Sequence, residues 1–244
     1  MLEFGDRTYQ TMEFSSAEVA LLPAAYRPSH RRPTSRVVST PPVPRDAAIK
    51  RTLDVVLALV VLVVHALPML VIALAIKLDT PGPVLFRQRR VGLLGREFEM
   101  LKFRTMHHHP PSPADCRQAR RHDPRVTRVG HLLRCLSFDE LPQLINVLRG
   151  EMSIVGPRPH APGTRAGNRL FEDVAPHYHE RHRMRPGMTG LAQVRGWRGE
   201  TDTEEKLLRR IDSDLEYINN WSLGLDLRII ASTMNTVLRM CNAY

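Results

Sequence analysis

The chain has 244 residues and a formal net charge of +10, with 35 Lys and Arg against 25 Asp and Glu. That length holds one sizeable domain plus extensions. Cys116, Cys135 and Cys241 are odd in number and widely spaced, which argues against a disulfide framework or a cysteine metal site and fits a reducing compartment. A basic balance suits anionic lipid, phosphorylated substrates or nucleic acid. Aromatics are only 6% of residues, too few for a base-stacking platform, so nucleic acid is not expected as a partner.

Residues 1–46 read as a disordered, basic, Pro-rich tail: Pro23, Pro28, Pro33, Pro41, Pro42 and Pro44 are scattered among arginines with no apolar period. An apolar run follows, Val55 to Ile76. About twenty uncharged residues reach across a bilayer as a helix. Pro68 interrupts it, at a cost of roughly 3 kcal/mol inside a helix. Lys50 and Arg51 precede the run, and Lys77, Arg87, Arg89 and Arg90 follow it. Basic flanks mark the cytoplasmic side, so symmetric flanks predict that residues 47–80 form a re-entrant helix-break-helix with both ends on the cytoplasmic face. The competing topology is a full span that exports everything after it. The run begins too late for a secretory signal.

Thr80-Pro81-Gly82-Pro83 is a stop and turn. Residues 84–91 and 97–104 predict a hairpin around Gly92 and Gly95. Residues 107–122 form a polar loop with the triplet His107-His108-His109, for which solvation is favoured over metal binding. Val129–Leu136 predicts a short helix, and Asp139–Arg149 a second one closed by Gly150. Ile154–Val155 predicts a short strand into Gly156-Pro157-Arg158-Pro159, residues 168–183 partial helix, and 185–190 loop. Helices are expected over 204–221 and 225–238; the latter offers Leu227, Ile230, Ala231, Met234 and Val237 to the core or to lipid headgroups. The expected fold is α/β of the α+β type: a compact cytoplasmic domain of helices and short strands, residues 81–244, on a Pro-broken membrane helix with amphipathic interfacial helices.

Ser137-Phe138-Asp139-Glu140-Leu141-Pro142-Gln143 carries the sharpest local signal. In a purely structural reading Asp139 is an N-cap, Pro142 sits at N3, and Ser137 with Glu140 forms a capping box. In a chemical reading the adjacent carboxylates hold a hard cation, and one of them attacks phosphorus. Arg125, Arg128 and Arg134 precede the pair, Arg158 lies between two prolines, Lys102 and Arg104 end a strand, and Arg185 precedes Pro186-Gly187. Arginine grips phosphate through a planar fork, and Pro/Gly-framed turns pre-organise it.

Several strings occur in a fixed order. They are Lys50-Arg51-x-x-Asp54, Thr80-Pro81-Gly82-Pro83-Val84, Leu101-Lys102-Phe103-Arg104-Thr105-Met106 and Asp123-Pro124-Arg125-Val126-Thr127-Arg128-Val129-Gly130. The Ser137–Gln143 string, Gly150 to Pro159, and Arg185-Pro186-Gly187-Met188-Thr189-Gly190-Leu191 complete the series. From Lys50 to Leu238 the chain resembles the bacterial sugar transferases, monotopic polyprenyl-phosphate phosphoglycosyl transferases.

The resemblance implies transfer of a sugar 1-phosphate from a UDP-sugar to undecaprenyl phosphate, with release of UMP and a need for magnesium. It makes Asp139 the nucleophile and Glu140 its partner at the metal, with Arg134 on phosphate and Arg158 on the nucleotide or the polyprenyl phosphate. Lys102, Arg104, Arg125, Arg128 and Arg185 are further phosphate candidates. It places the protein at the bacterial inner membrane, on its cytoplasmic face, at the first membrane step of exopolysaccharide or related glycan assembly. Residues 197–203 and 219–223 resemble members acting on UDP-glucose; UDP-galactose and UDP-N-acetylhexosamine are the alternative donors, and a non-catalytic membrane scaffold or regulator the alternative role. A homodimer is compatible with the sequence but not read from it. Two positions depart from the family pattern: Leu67 stands where a serine often precedes Pro68, with His65 available to the freed backbone or to packing, and Phe138 replaces a smaller aliphatic beside the carboxylates.

Overall fold

In the computed structural model, the described residues are 47–107, 123–197, 199, 201 and 203–239. The tail, His108 and His109, and the remaining loop positions up to 122 lie outside them, as do Arg198, Glu200 and Asp202. The apolar run forms α1 (Ala47–Val64) and α2 (Ala66–Asp79), which meet at His65 with a bend of 62°. The break falls three residues ahead of Pro68, because proline cannot bond to the carbonyl one turn back and its ring crowds that turn. Pro68 is thereby the third residue of α2, where no helical N–H is needed. The carbonyl that Pro68 leaves free is that of Val64, but the His65 ring serves the turn before: Nδ1–H donates to the Val61 carbonyl at 2.9 Å.

The predicted hairpin is β1 (Leu85–Val91) against β2 (Glu97–Phe103), with Leu85 opposite Phe103 and Val91 opposite Glu97. α3 (Arg128–Leu136) is capped by Thr127, whose hydroxyl accepts from the Gly130 amide at 2.9 Å. Gly130 is required here: a Cβ on it would lie 2.1 Å from the Thr105 carbonyl, so glycine lets α3 close onto the end of β2. The predicted second helix is shorter than expected. Residues 138–140 form a 3₁₀ turn, and α4 runs only over Gln143–Arg149, closed by Gly150 at φ 81°.

β3 (Ser153–Val155) pairs in parallel with β6 (Gly187–Thr189), a segment the sequence places in a loop. Three residues flanked by proline and glycine leave no period-two pattern to read. Between them lie the two-residue strands β4 (Arg165–Ala166) and β5 (Arg169–Leu170), α5 (Phe171–Val174) and a 3₁₀ stretch, Tyr178–Arg183. α6 (Leu191–Val194), α7 (Glu204–Asn219) and α8 (Leu223–Arg239) follow. The mixed helices and two-stranded sheets among the described residues are of the expected α/β kind. On α8 Ile229 is buried with Leu225 and Ile230 packed beside it; of the expected face Ile230 turns to the core, Leu227 and Met234 are exposed, and the Val237 side chain lies outside those described.

The bent helix holds the domain by its inner faces. Ala58, Val61 and Leu62 of α1 pack on Leu144, Val147 and Leu148 of α4, with Met100 of β2. Met69, Ile72, Ala73 and Ile76 of α2 pack on Val129 and Leu133 of α3, with Phe103, Phe138 and Leu141. The link between α3 and α4, residues 137–142, therefore lies over the bend between α1 and α2. The start of α1 is fastened by polar groups. Lys50 Nζ donates to Asp226 Oδ2 at 2.7 Å and to the Val155 carbonyl at 3.0 Å, and Asp226 also accepts from Tyr217 and Trp221. Asp54 accepts from Ser153 Oγ and the Ile154 amide, and Arg51 donates to the carbonyls of Val147 and Leu148 at the end of α4. Two charges read as headgroup flanks, Lys50 and Arg51, are thus engaged inside the protein.

The outer faces have no cover from the described chain. Val56, Leu59, Val60, Val63, Val64, Leu67, Leu70, Val71, Leu74 and Leu78 are exposed, Leu78 by 79%. At 1.5–3 kcal/mol per fully buried large side chain, that strip leaves on the order of 10 kcal/mol of apolar transfer unrealised. A continuous patch of this size marks contact with lipid or another apolar surface. No single described helix is long and apolar enough to cross a membrane; the bent pair together meets that length and composition.

The Lys50–Asp226 pair yields a stability prediction. Lys50→Met strands the Asp226 carboxylate in the core and should cost about 3–5 kcal/mol in chemical denaturation. A loss under 1 kcal/mol would show that the pair does not fasten α1.

Candidate active site

The carboxylate turn owes its shape to the ends of two helices. Ser137 closes α3 in a left-handed conformation, φ 58°, with its amide on the Arg134 carbonyl at 3.2 Å. The same residue also opens the 3₁₀ turn, its carbonyl accepting from the Glu140 amide at 3.3 Å, but its side chain makes no cap bond there. The expected capping box is absent, and Asp139 is not an N-cap: it sits within the 3₁₀ turn, and Pro142 takes the cap position of α4. Asp139 and Glu140 are thus left without the structural job that the local pattern offered them.

Their surroundings differ. Glu140 is held mainly through one oxygen: Lys102 Nζ lies 2.9 Å from Oε1, and Arg158 donates through Nη2 to Oε1 at 2.6 Å and through Nη1 to Oε2 at 3.4 Å. Burial pushes the Glu140 carboxyl up, but Arg158 and Lys102 outweigh it and hold the group well below the usual carboxylate range. Asp139 accepts no hydrogen bond from the described residues; Lys102 Nζ stands 4.0 Å from Oδ2, and 12% of the side chain stays accessible. Burial raises its pKa, the Glu140 charge adds to that, and Lys102, Arg134 and Arg158 oppose without cancelling it. One carboxylate is pinned and ionised; its neighbour keeps its lone pairs uncommitted.

Three of the sequence-predicted cations act on the pair: Lys102, Arg134 and Arg158. Arg134 is held by Thr105, Nε to Oγ1 at 2.9 Å. Arg104 does something else. Its guanidinium donates to the carbonyls of Ile76, Thr80 and Pro81 and to the Thr80 hydroxyl, closing the C-terminus of α2. Arg125 is clamped by Asp123 at 2.7 Å, Arg128 is an exposed first residue of α3, and exposed Arg185 donates to the Gly150 carbonyl at 2.9 Å. None of these four is among the largest influences on either carboxyl.

Sequence reasoning missed the groups behind Arg158. Arg181, buried with Asp214 at 2.7 Å, donates through Nη2 to the Arg158 carbonyl at 2.6 Å and through Nη1 to His160 Nδ1 at 2.7 Å. Since arginine only donates, His160 Nδ1 is the acceptor and the ring is neutral there; burial and Arg181 hold its pKa well below the ordinary value. Arg90 donates to the Pro159 carbonyl at 3.2 Å. Neither arginine stands in a motif, and only the paired Asp214 on a helix face offered a faint signal.

The described residues include no cluster of three His, Cys, Asp or Glu side chains able to cage a metal. Magnesium does not need one, since it takes one or two carboxylates and completes its shell with substrate phosphate and water. The uncommitted oxygens of Asp139 fit that donor set better than those of Glu140.

A family model described as bacterial sugar transferase matches residues 45–240, and the chain belongs to that family. It is 53% identical over 205 residues to a UDP-glucose:undecaprenyl-phosphate glucose-1-phosphate transferase of Caulobacter vibrioides, covering 83% of this chain and 75% of that protein. It is 50% identical over 199 residues to an undecaprenyl-phosphate glucose phosphotransferase of Komagataeibacter xylinus, covering 82% of this chain but only 37% of that one. A more distant relative, at 40% over 206 residues, is a UDP-N-acetylgalactosamine-undecaprenyl-phosphate N-acetylgalactosaminephosphotransferase of Aeromonas hydrophila; the match covers 81% of this chain and 45% of that protein.

The asymmetry of the pair is measurable without substrate. Asp139→Asn removes a desolvated charge with no hydrogen-bond partner and should leave the unfolding free energy unchanged or higher. Glu140→Gln breaks two ion pairs and should lower it by about 1–3 kcal/mol. The reverse order in denaturant titrations would refute the assignment.

Proposed function

We propose that this chain transfers glucose 1-phosphate from UDP-glucose to undecaprenyl phosphate and releases UMP, through a covalent phosphosugar on Asp139. The observation that carries the reading is the unequal pair: an uncommitted, partly accessible carboxylate beside one fixed by two cations. An Asp139 oxygen attacks the phosphorus bearing the sugar, the bond from that phosphorus to the bridging oxygen breaks, and UMP departs with the electron pair. An oxygen of the lipid phosphate then attacks the same phosphorus, displaces the Asp139 carboxylate and completes the product. Two displacements let a soluble donor and a lipid acceptor occupy the site in turn.

A carboxylate approaching a diphosphate meets repulsion, and the chain answers with fixed cations. Arg134 and Lys102 lie on the Asp139 side, while Arg158 and Lys102 hold Glu140 in place. Asp139 and Glu140 would hold magnesium, which supplies further neutralisation of the phosphate oxygens. Glucose is favoured because relatives at about 50% identity bear that name, against N-acetylgalactosamine at 40%.

The bent pair α1–α2 serves this chemistry as a re-entrant anchor. Its uncovered apolar faces lie in lipid and its ends return to one side, the cytoplasmic side of the inner membrane, where nucleotide sugars are found. The carboxylate turn over the bend is then carried close to the headgroup plane, within reach of a lipid phosphate.

UMP release with undecaprenyl phosphate, magnesium and a panel of UDP-glucose, UDP-galactose and UDP-N-acetylhexosamines tests activity and donor together. UDP-glucose should give the fastest release, and Asp139→Asn should slow it by about a thousandfold or more. Release at the wild-type rate by that variant excludes Asp139 as nucleophile. For topology, single cysteines replacing Leu2 and Ala243 in a background without the three native ones should label from the same face. Labelling from opposite faces rejects the re-entrant anchor.

A further inference from the structure

One departure from the family pattern, Phe138, meets the histidine that stands two residues before the other, Leu67. The rings of His65, at the bend, and Phe138, at the start of the carboxylate turn, lie edge to face, with centroids 6.4 Å apart and planes at 71°. The His65 ring is not free to turn. A carbonyl only accepts, so the bond to Val61 places the proton on Nδ1 and fixes the ring relative to α1. Phe138 is equally constrained: its side chain packs with the α2–α3 cluster, and its carbonyl accepts from the Leu141 amide at 3.2 Å, the bond that closes the turn holding Asp139 and Glu140.

We propose that His65 is a positioning residue for the transfer reaction, acting through Phe138 to hold the carboxylate turn in register with the bend. The inference rests on the reading of Asp139 and Glu140 as the reacting pair. α4 rides on α1 and α3 rides on α2, so any change in the angle between α1 and α2 moves the two ends of the 137–142 link relative to each other. The ring pair is the direct contact at the vertex, where that motion is felt most. His65 ties the backbone of α1 on one side and the carboxylate turn on the other.

The test pairs two readouts. In amide hydrogen exchange of the full chain in detergent micelles, His65→Ala should speed exchange at Glu140 and Leu141 by about tenfold while leaving the α7 amides at the wild-type rate. In UMP release, His65→Ala and Phe138→Ala should each lower kcat by about tenfold with KM for UDP-glucose within about twofold. The double variant should be no worse than the poorer single, because both remove one contact. His65→Phe, which keeps a ring edge, should recover most of kcat. Exchange unchanged at the turn, or uniformly faster across the chain, overturns the proposal, as does a double variant equal to the product of the singles. A wild-type chain that releases no UMP refutes the transfer reading and not the coupling, which the exchange measurement then decides; if His65→Ala does not fold, Phe138→Leu probes the same contact from its other side.

Discussion

Two short helices lying along the two limbs of a bent one place the turn that carries the carboxylates. α4 follows α1 and α3 follows α2, so the link between the short helices inherits its geometry from the bend beneath it. A straight helix of the same sequence would leave only one limb for them to follow. The bend itself comes from one covalent fact, the missing N–H of Pro68, and from polar groups that stop the chain healing around it. Arg104 closes the far end of α2, and Lys50, Arg51 and Asp54 fix the near end of α1, so both limbs are tied at their outer ends and meet at His65. The bent apolar pair is therefore part of the scaffold of the site.

Within that scaffold, one cation does two jobs. Lys102 holds Glu140 at 2.9 Å and stands 4.0 Å from Asp139, biasing the first carboxylate to ionise and moderating the desolvation of the second. The pair is stable because the cations outnumber the anions locally; Arg158 and Arg134 arrive from different elements, and each is held by a further partner, Arg181 or Thr105. Fixed cations of this kind need no reorganisation when negative charge builds up. The arrangement suits a reaction in which a carboxylate must approach a diphosphate.

Much of this was legible in the sequence, and the failures follow a pattern. The hairpin, α3, α7 and α8 follow from residue periodicity and turn chemistry, and the carboxylate pair with Lys102, Arg134 and Arg158 follows from the ordered strings. What could not be read depends on partners far away in the chain. Lys50 and Arg51 have the composition of a membrane flank, and only the fold shows Asp226 and the end of α4 waiting for them. Arg104 has the same chemistry as a phosphate ligand, yet it meets the carbonyl end of α2 first. The parallel pairing of β3 with β6 joins two glycine- and proline-framed segments with no pattern of their own. The capping box failed for a local reason: Ser137 takes a left-handed conformation to finish α3, and in that conformation its side chain makes no cap bond to the turn that follows.

The Lys50–Asp226 pair also sets an order in time. The two residues are 176 positions apart. At a synthesis rate of about 5–20 residues per second, the ammonium emerges roughly 9–35 s before its counter-ion. During that interval it stays hydrated, and the base of α1 lacks the counter-ion that fastens it. Only when α8 has been made can the amino group withdraw from water and the base of the helix lock. The base of α1 is therefore among the last parts of the described fold to lock, and the ribosome, by delivering α8 after the other described helices, sets that order.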